Sequence, residues 1–456
     1  MSTMPLHLQP FNPAPFAARR ARLTATVRAA GGGLLVLGTA PELLRNGDAH
    51  FDFRPSSSFY YLTGFTEPEA VLVLLIDGDS ERSILFCREK NVEREIWDGH
   101  RYGPEAARTH FVFDEAHPID DLAKQLPTLL SGQTRVFAPL LADTTMDQWL
   151  KAALHTTRSM SRSGAQAPLQ LHDVHALIDE MRLVKDTSEV EWLREAGRIS
   201  AHGHVRAMQA CRSGMRETDL EAEILYRFAK DGAQHASYSS IVAGGSNACV
   251  LHYRAGTGLL NDGDLCLIDA GAEYGFYAGD ITRTFPVNGR FSPAQAAAYE
   301  VVLAAQEAAI AATRVGATFN APHEAALRVL VQGMLDLKLL TGSLDGVIES
   351  GAYREFYMHR TSHWLGLDVH DVGAYSSGQT SAGSPIWREL SAGMALTIEP
   401  GLYIRPAAHV PEAFWNIGIR IEDDALVNDS GCELLTRDVP VSVADIEYLM
   451  KHEVAE

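Results

Sequence analysis

The chain has 456 residues and 49.8 kDa, with 46% apolar and 21% charged positions; this excludes wholesale disorder and calls for two or three domains. A formal charge of −19, from 39 Lys+Arg against 58 Asp+Glu, repels phosphate backbones and anionic headgroups, so neither nucleic acid nor a membrane surface is expected as a partner. Apolar runs such as Val71–Ile76 have strand length and fall far short of a bilayer span. Cys87, Cys211, Cys249, Cys266 and Cys432 are dispersed without CxxC spacing, which reads as reduced cysteines, most of them in the core, and a cytoplasmic protein.

From the N-terminus, Arg19, Arg20, Arg22 and Arg28 stand in a stretch with no acidic residue before Glu42. That bias is shared with organelle transit segments, but no signal-peptide apolar core precedes a small-residue cleavage site. An amphipathic first helix over 14–29, running into a strand at Gly33–Gly38, is the expectation. Runs at Leu34–Leu37, Val71–Ile76, Ser83–Cys87 and Arg135–Pro139 alternate with helical or turn-rich stretches and predict an α/β domain over 1–180. The aromatic segment from Phe53 to Tyr61 reads as core packing in preference to a ligand box. Ser159–Pro168 is polar and rich in Ser, Gly and Ala, a loop near the end of this domain.

From Met181 the texture changes to long capped helices. Ser188-x-x-Glu191 and Thr218-x-x-Glu221 match the capping box, and Gly232 supplies a stop. Ser292-Pro293-Ala294-Gln295 opens an alanine-rich helix running to about Arg314. The second domain, 181–456, is therefore expected to be α+β.

Four segments of that domain carry chemistry. In Leu265–Asp280 an apolar run ends in Asp269, a Gly-containing turn follows, and Asp280 comes 11 residues later. A turn centred on Tyr274-Gly275 sets the two aspartates directly opposite each other, destabilising unless they are protonated or bridged by a cation; a bulge at Gly271 or Gly279 shifts that register, and turn chemistry alone is the plain alternative. The stretch His359–Asp371 holds His359, His363 and His370 among apolar residues. Imidazole suits metal ligation and proton transfer alike, and a buried structural histidine is the alternative for any one of them. The strand Gly393–Ile398 ends in Glu399 before a Pro-Gly turn, where a carboxylate must find a partner or lose its charge. Period-2 alternation in Ile417–Asp424 sets Ile417, Ile419 and Ile421 on one face and Arg420 and Glu422 on the other, an exposed charged face if taken alone.

Combined, Asp269, Asp280, His363, Glu399 and Glu422 offer four carboxylates and one imidazole. Oxygen-rich coordination favours hard divalent ions, manganese first, with zinc or cobalt as alternatives. One ion among four carboxylates leaves excess negative charge, so two ions about 3.5–4 Å apart are expected.

These segments together resemble the Xaa-Pro aminopeptidases (aminopeptidase P) of the metal-dependent pita-bread peptidase family. The likeness is carried by Asp269 to Asp280 with their spacing, Ser362-His363-Trp364-Leu365-Gly366-Leu367-Asp368-Val369-His370-Asp371, Ile398-Glu399-Pro400-Gly401-Leu402-Tyr403 and Gly418-Ile419-Arg420-Ile421-Glu422-Asp423. Tyr61–Ala70 is similar to the N-terminal-domain signature of bacterial members, and Met181–Asp186 to the junction into the catalytic domain.

The resemblance implies a pita-bread catalytic domain of creatinase/aminopeptidase type behind an N-terminal α/β domain that serves oligomerisation and active-site access. It implies Asp269 on one metal, Asp280 and Glu422 bridging the pair, and His363 and Glu399 completing the second site. His252 matches the histidine beside the scissile peptide and His370 the one near the proline. His359 and Tyr403 line the same region, and Arg420 binds ligand carboxylates or substrate. The implied reaction releases the first residue from peptides with proline second: two ions activate a shared water, Glu399 takes its proton, and His252 and His370 stabilise the carbonyl oxygen. A dimer or tetramer is implied as well. Bacterial relatives often carry an acidic residue just before the aromatic cluster, where this chain has Ser58, in a region that can reach a neighbouring subunit's site. The rival readings are a prolidase restricted to dipeptides, a catalytically dead module that binds proteins, and a metal-free creatinase-type hydrolase. The complete ligand set opposes the last two, and no GxSxG motif supports a serine hydrolase.

Overall fold

A computed structural model describes residues 11–452, and its chain divides between Arg182 and Leu183 into two units. In the first unit, β1 (Gly33–Gly38), β2 (Val71–Asp77), β3 (Ser80–Cys87), β4 (Glu115–Pro118), β5 (Arg135–Ala138) and β6 (Gln170–Asp173) form one sheet in the order β4–β3–β2–β1–β5–β6. β1 runs antiparallel to β2 and parallel to β5. Both central strands are apolar almost throughout because both of their faces are covered. Leu34, Val36, Val71 and Val73 pack with Leu126 and Leu130 of helix Leu122–Leu130 and with Leu150 and Leu154 of helix Thr144–Ser159.

Helix α1 (Ala14–Ala29) explains its own arginines. Phe16, Leu23 and Val27 are buried, and Arg19 and Arg20 are buried beside them. Arg20 donates to the carbonyls of Leu62 and Val112 at 2.8 and 2.5 Å, and the Arg19 guanidinium lies 4.5 Å from the Tyr61 ring centroid. The aromatic segment is core, with Phe59, Tyr60 and Tyr61 buried on helix Ser57–Thr63. Ser58 is buried too, and its hydroxyl accepts from Arg182 at 3.2 Å. The 159–168 loop contains a short 3-10 turn and lies inside the unit, ahead of edge strand β6.

The second unit opens with α2 (Thr187–Ala210) and α3 (Glu217–Lys230). Their capping differs from expectation by about two residues. Asp186, not Ser188, caps α2, with Glu189 reciprocating; Asp219, not Glu221, takes the free N–H of Arg216 ahead of α3. At α4 (Pro293–Ala312) the Ser292–Gln295 box forms as expected.

Beyond the helices, β7 (Ile241–Gly244), β8 (Leu265–Asp269) and β11 (Thr282–Pro286) form a sheet in the order β7–β8–β11, while β9 (Ala272–Tyr274) and β10 (Tyr277–Ala278) close the hairpin between β8 and β11. The turn sits on Gly275-Phe276, not Tyr274-Gly275. Both residues have positive φ, 56° and 66°, the geometry of the two-residue hairpin turn that matches strand twist. The register moves accordingly: Asp269 faces Thr282, and Asp280 becomes its diagonal neighbour on the same face.

A second ribbon is made by β12 (Ala395–Ile398) with β15 (Asp423–Asn428) and by β13 (Gly401–Ile404) with β14 (Ile417–Arg420). Ile398 faces Asp423 and Gly401 faces Arg420, one continuous register with a gap between. Across that gap Glu399 stands opposite Glu422, and the Ile421 N–H donates to the Pro400 carbonyl at 3.3 Å. The chain therefore runs on from Glu399-Pro400 into β13 and makes no hairpin there. The alternating segment from Ile417 to Asp424 is buried along its whole length instead of presenting a charged face.

Candidate active site

All five expected ligands line one cleft of about 660 Å³. Asp269 stands at the end of β8 and Asp280 just before β11. Tyr238 joins them, its hydroxyl 2.5 Å from Asp269 Oδ1 and 2.6 Å from Asp280 Oδ1. The other Asp269 oxygen accepts from Arg420 Nη2 at 2.6 Å. Glu422 is buried, and Glu422 Oε2 accepts from the Thr282 hydroxyl at 2.5 Å.

The histidine segment lies along β12. The His363 N–H donates to Thr397 Oγ1, the Thr397 N–H to the His363 carbonyl, and the Glu399 N–H to the Thr361 carbonyl. His363 Nδ1–H donates to the Trp364 carbonyl at 2.9 Å, so Nε2 is the nitrogen turned to the carboxylates. It lies 3.3 Å from Asp280 Oδ2 and 3.8 Å from Glu399 Oε1. Among the described residues, Asp280, His363 and Glu422 form a group whose ligand atoms all lie within 4.8 Å of one another.

The electrostatics test whether cations fit. Burial, with repulsion from neighbouring carboxylates, raises the Asp269 carboxyl and lifts Glu422 well above the usual range. Burial likewise brings Glu399 up to about 7. Burial opposes charge on His363, yet Asp280 and Glu399 hold its ring up to about 9. Arg420 and one imidazolium are too little positive charge for four clustered carboxylates, and divalent cations would let all of them ionise. The donor set fits divalent cations.

The remaining expected residues surround this cluster. His252 and His370 line the cleft, and the His370 ring centroid is 4.1 Å from that of His363; burial, then His363, lowers the His370 pKa. His359 has both nitrogens engaged within the protein. Nδ1–H donates to the Arg360 carbonyl at 2.7 Å, and Nε2 accepts from the Tyr403 hydroxyl at 2.9 Å. Burial lowers it to about 3, so it is a neutral ring. Arg420 Nη1 donates to the Tyr403 oxygen at 3.0 Å, which orders a chain from His359 through Tyr403 and Arg420 to Asp269.

Reading the sequence missed Tyr238, which no motif marks, and Thr282, which counting two residues on from Asp280 along the strand finds. It also missed the support beneath Glu422. Arg283, fully buried, donates to the Glu422 carbonyl at 2.6 Å and pairs with Asp423 at 2.8 Å.

Comparison with known proteins agrees with this geometry. Residues 191–429 match metallopeptidase family M24, and residues 16–137 match the N-terminal domain of aminopeptidase P. The Xaa-Pro aminopeptidase of Escherichia coli is 43% identical over 92% of this chain and 94% of its own. A solved structure of Pseudomonas aeruginosa aminopeptidase PepP is 46% identical and superposes with a TM-score of 0.93 over 97% of this chain and 98% of that one. A zinc-substituted E. coli aminopeptidase P in complex with product, 42% identical, superposes at 0.92 over 97% and 99%. No helix among the described residues is long and apolar enough to cross a membrane. The chain belongs to metallopeptidase family M24, among the Xaa-Pro aminopeptidases with their α/β N-terminal domain and pita-bread catalytic domain.

Proposed function

We propose that this chain is a metallo-aminopeptidase that hydrolyses the bond between a peptide's first residue and a proline in second position. The observation that carries the reading is the gathering of four carboxylates and one imidazole in one cleft, where burial and mutual repulsion oppose charge on Asp269, Glu399 and Glu422. Asp269 would hold one divalent ion, Asp280 and Glu422 both, and His363 and Glu399 the other. When bound, such a pair supplies Lewis acidity and lowers the pKa of water toward neutrality. Manganese is the metal proposed, because the donors are mostly carboxylate oxygens.

The protein's own groups do the rest. Glu399, in the same cleft as the other four ligands, would accept a proton and pass it to the proline nitrogen. His252 and His370, on the cleft wall, would donate to the carbonyl oxygen as charge grows there. The neutral His359 acts through Tyr403 and Arg420, keeping the arginine on Asp269.

The N-terminal unit is proposed to carry oligomerisation, as a dimer or tetramer, and access to the site. Support comes from helix Val92–Asp98, which has no buried residue and leaves Val92, Ile96 and Trp97 at least 76% exposed. Cytoplasmic residence is proposed from five cysteines that are all free, four of them buried.

The test compares Xaa-Pro dipeptides with longer Xaa-Pro peptides after exhaustive chelation and manganese add-back. Cleavage of the longer peptides, lost on chelation and restored by Mn²⁺, is expected. Cleavage of dipeptides alone makes the chain a prolidase, and activity that survives chelation ends the metal reading.

A further inference from the structure

Glu217, the first residue of α3, is 1% exposed and does not line the cleft. Its carboxylate accepts four hydrogen bonds from one segment, 244–256. Oε1 takes the Gly244 N–H at 2.9 Å and Asn247 Nδ2 at 2.8 Å. Oε2 takes the Tyr253 hydroxyl at 2.8 Å and the Gly256 N–H at 3.2 Å. The backbone adds two more ties: the Glu217 N–H donates to the Gly258 carbonyl, and the Thr218 N–H to that of Gly256. Contact is so close that a Cβ on Gly258 would lie 3.0 Å from Glu217 Oε2.

Among the described residues no basic side chain pairs with Glu217. N–H and O–H donors, and its place at the first turn of a helix, balance the charge. A buried carboxylate is expensive unless every lone pair is used, and here every bond serves to hold one loop. That loop carries Leu251, His252, Tyr253 and Arg254 into the cleft wall.

We infer that Glu217 is a positioning residue that fixes His252 at the scissile carbonyl by gripping its loop from beneath. The inference rests on the proposed role of His252. Glutamine is not an equivalent. Its amide has one acceptor oxygen, so an NH₂ donor would face the Gly256 N–H and leave it unpaired.

The test uses the manganese-loaded full chain, an Xaa-Pro tripeptide, and the variants E217Q, H252A and the double substitution. E217Q is expected to lower kcat about tenfold to a hundredfold, with KM and bound manganese near wild type. The double variant is expected to be no slower than H252A, because the grip has nothing left to aim. Losses that multiply in the double variant would overturn the inference, as would a loss of metal in E217Q. An H252A variant as fast as wild type would refute the role of His252 itself and leave Glu217 nothing to position. Should E217Q not fold, N247A removes one of the four donors. A smaller fall in kcat, absent on the H252A background, is then expected, and an unchanged kcat on both backgrounds overturns the inference.

Discussion

Tyr238→Phe isolates the link between the two aspartates. The phenol has one proton, yet its oxygen lies 2.5 Å from Asp269 and 2.6 Å from Asp280. Burial and both carboxylates push its pKa well above the ordinary tyrosine value, so it stays a donor. Removing it has two opposed effects. The carboxylates lose a neutralising donor, which by itself strengthens their pull on a cation, but they also lose the group that aims them at each other. A hydrogen bond to a charged group is worth about 1.5–3 kcal/mol, and groups that orient metal ligands typically contribute about 10–100-fold in affinity, or roughly 1.4–2.7 kcal/mol. The orienting effect should win, because among the described residues Asp280 is otherwise steered only by its backbone N–H on Asp424 and by His363. Competition of Mn²⁺ between the protein and a fluorescent chelator should show about 10–100-fold weaker binding in the variant, with activity recovering as Mn²⁺ is raised. Unchanged or tighter binding would refute the reasoning.

Other measurements probe the remaining parts of the site. Glu422→Gln should lower both rate and metal content by elemental analysis, and full double occupancy would contradict a bridging carboxylate. Chelation should lower the melting temperature of the catalytic unit, since a cation bound at a hundred times its Kd stabilises by about 2.7 kcal/mol; an identical apo melting curve would count against coupled carboxylates. Burial depresses His204, inside α2, to about 4 in the folded protein, against 6.5 ordinarily. Because the folded pKa is the lower one, its contribution is intact above pH 6.5 and shrinks by about 3 kcal/mol as pH falls toward 4. Urea unfolding from pH 8 to pH 4 should show that slope, and H204Q, destabilised at pH 8, should show a flatter one. Arg283→Met leaves the buried Asp423, among the described residues, with only Arg437, Gln306 and Thr436 and should cost about 3 kcal/mol in the catalytic unit's unfolding transition; a loss below about 1 kcal/mol would mean the pair is dispensable.

What the sequence disclosed depended on how local the cause was. Strands filled with Val, Leu and Ile, such as β1 and β2, were legible because both faces are buried. The Ser292 cap was legible because its proline and glutamine act within four residues. The caps at α2 and α3 were displaced because Ser188 and Thr218 fit the motif while Asp186 and Asp219 hold the bonds. The hairpin centre escaped because a phenylalanine, not a second glycine, takes the left-handed position at 276. Ligand residues stood out as charges ending apolar strands. Tyr238 and Glu217 did not, since their partners lie some 30 to 40 positions away and their meaning is purely spatial.

The two ribbons solve the same problem in different ways. In one, a positive-φ turn sets Asp269 and Asp280 on a diagonal, close enough to share a hydroxyl but not face to face. In the other, a gap in the ladder, crossed by the Ile421 N–H to the Pro400 carbonyl, sets Glu399 and Glu422 opposite each other. Like charges facing across a regular sheet are destabilising, so both pairs sit where a sheet has just ended, at the tips of apolar strands that supply the rigidity. His363 enters from a third segment laid along β12, and Arg420 caps the far side of Asp269. A site assembled this way takes its precision from buried ladders and its affinity from charge those ladders cannot neutralise alone. That is why removing a neutral hydroxyl at its edge should disturb it as surely as removing a ligand.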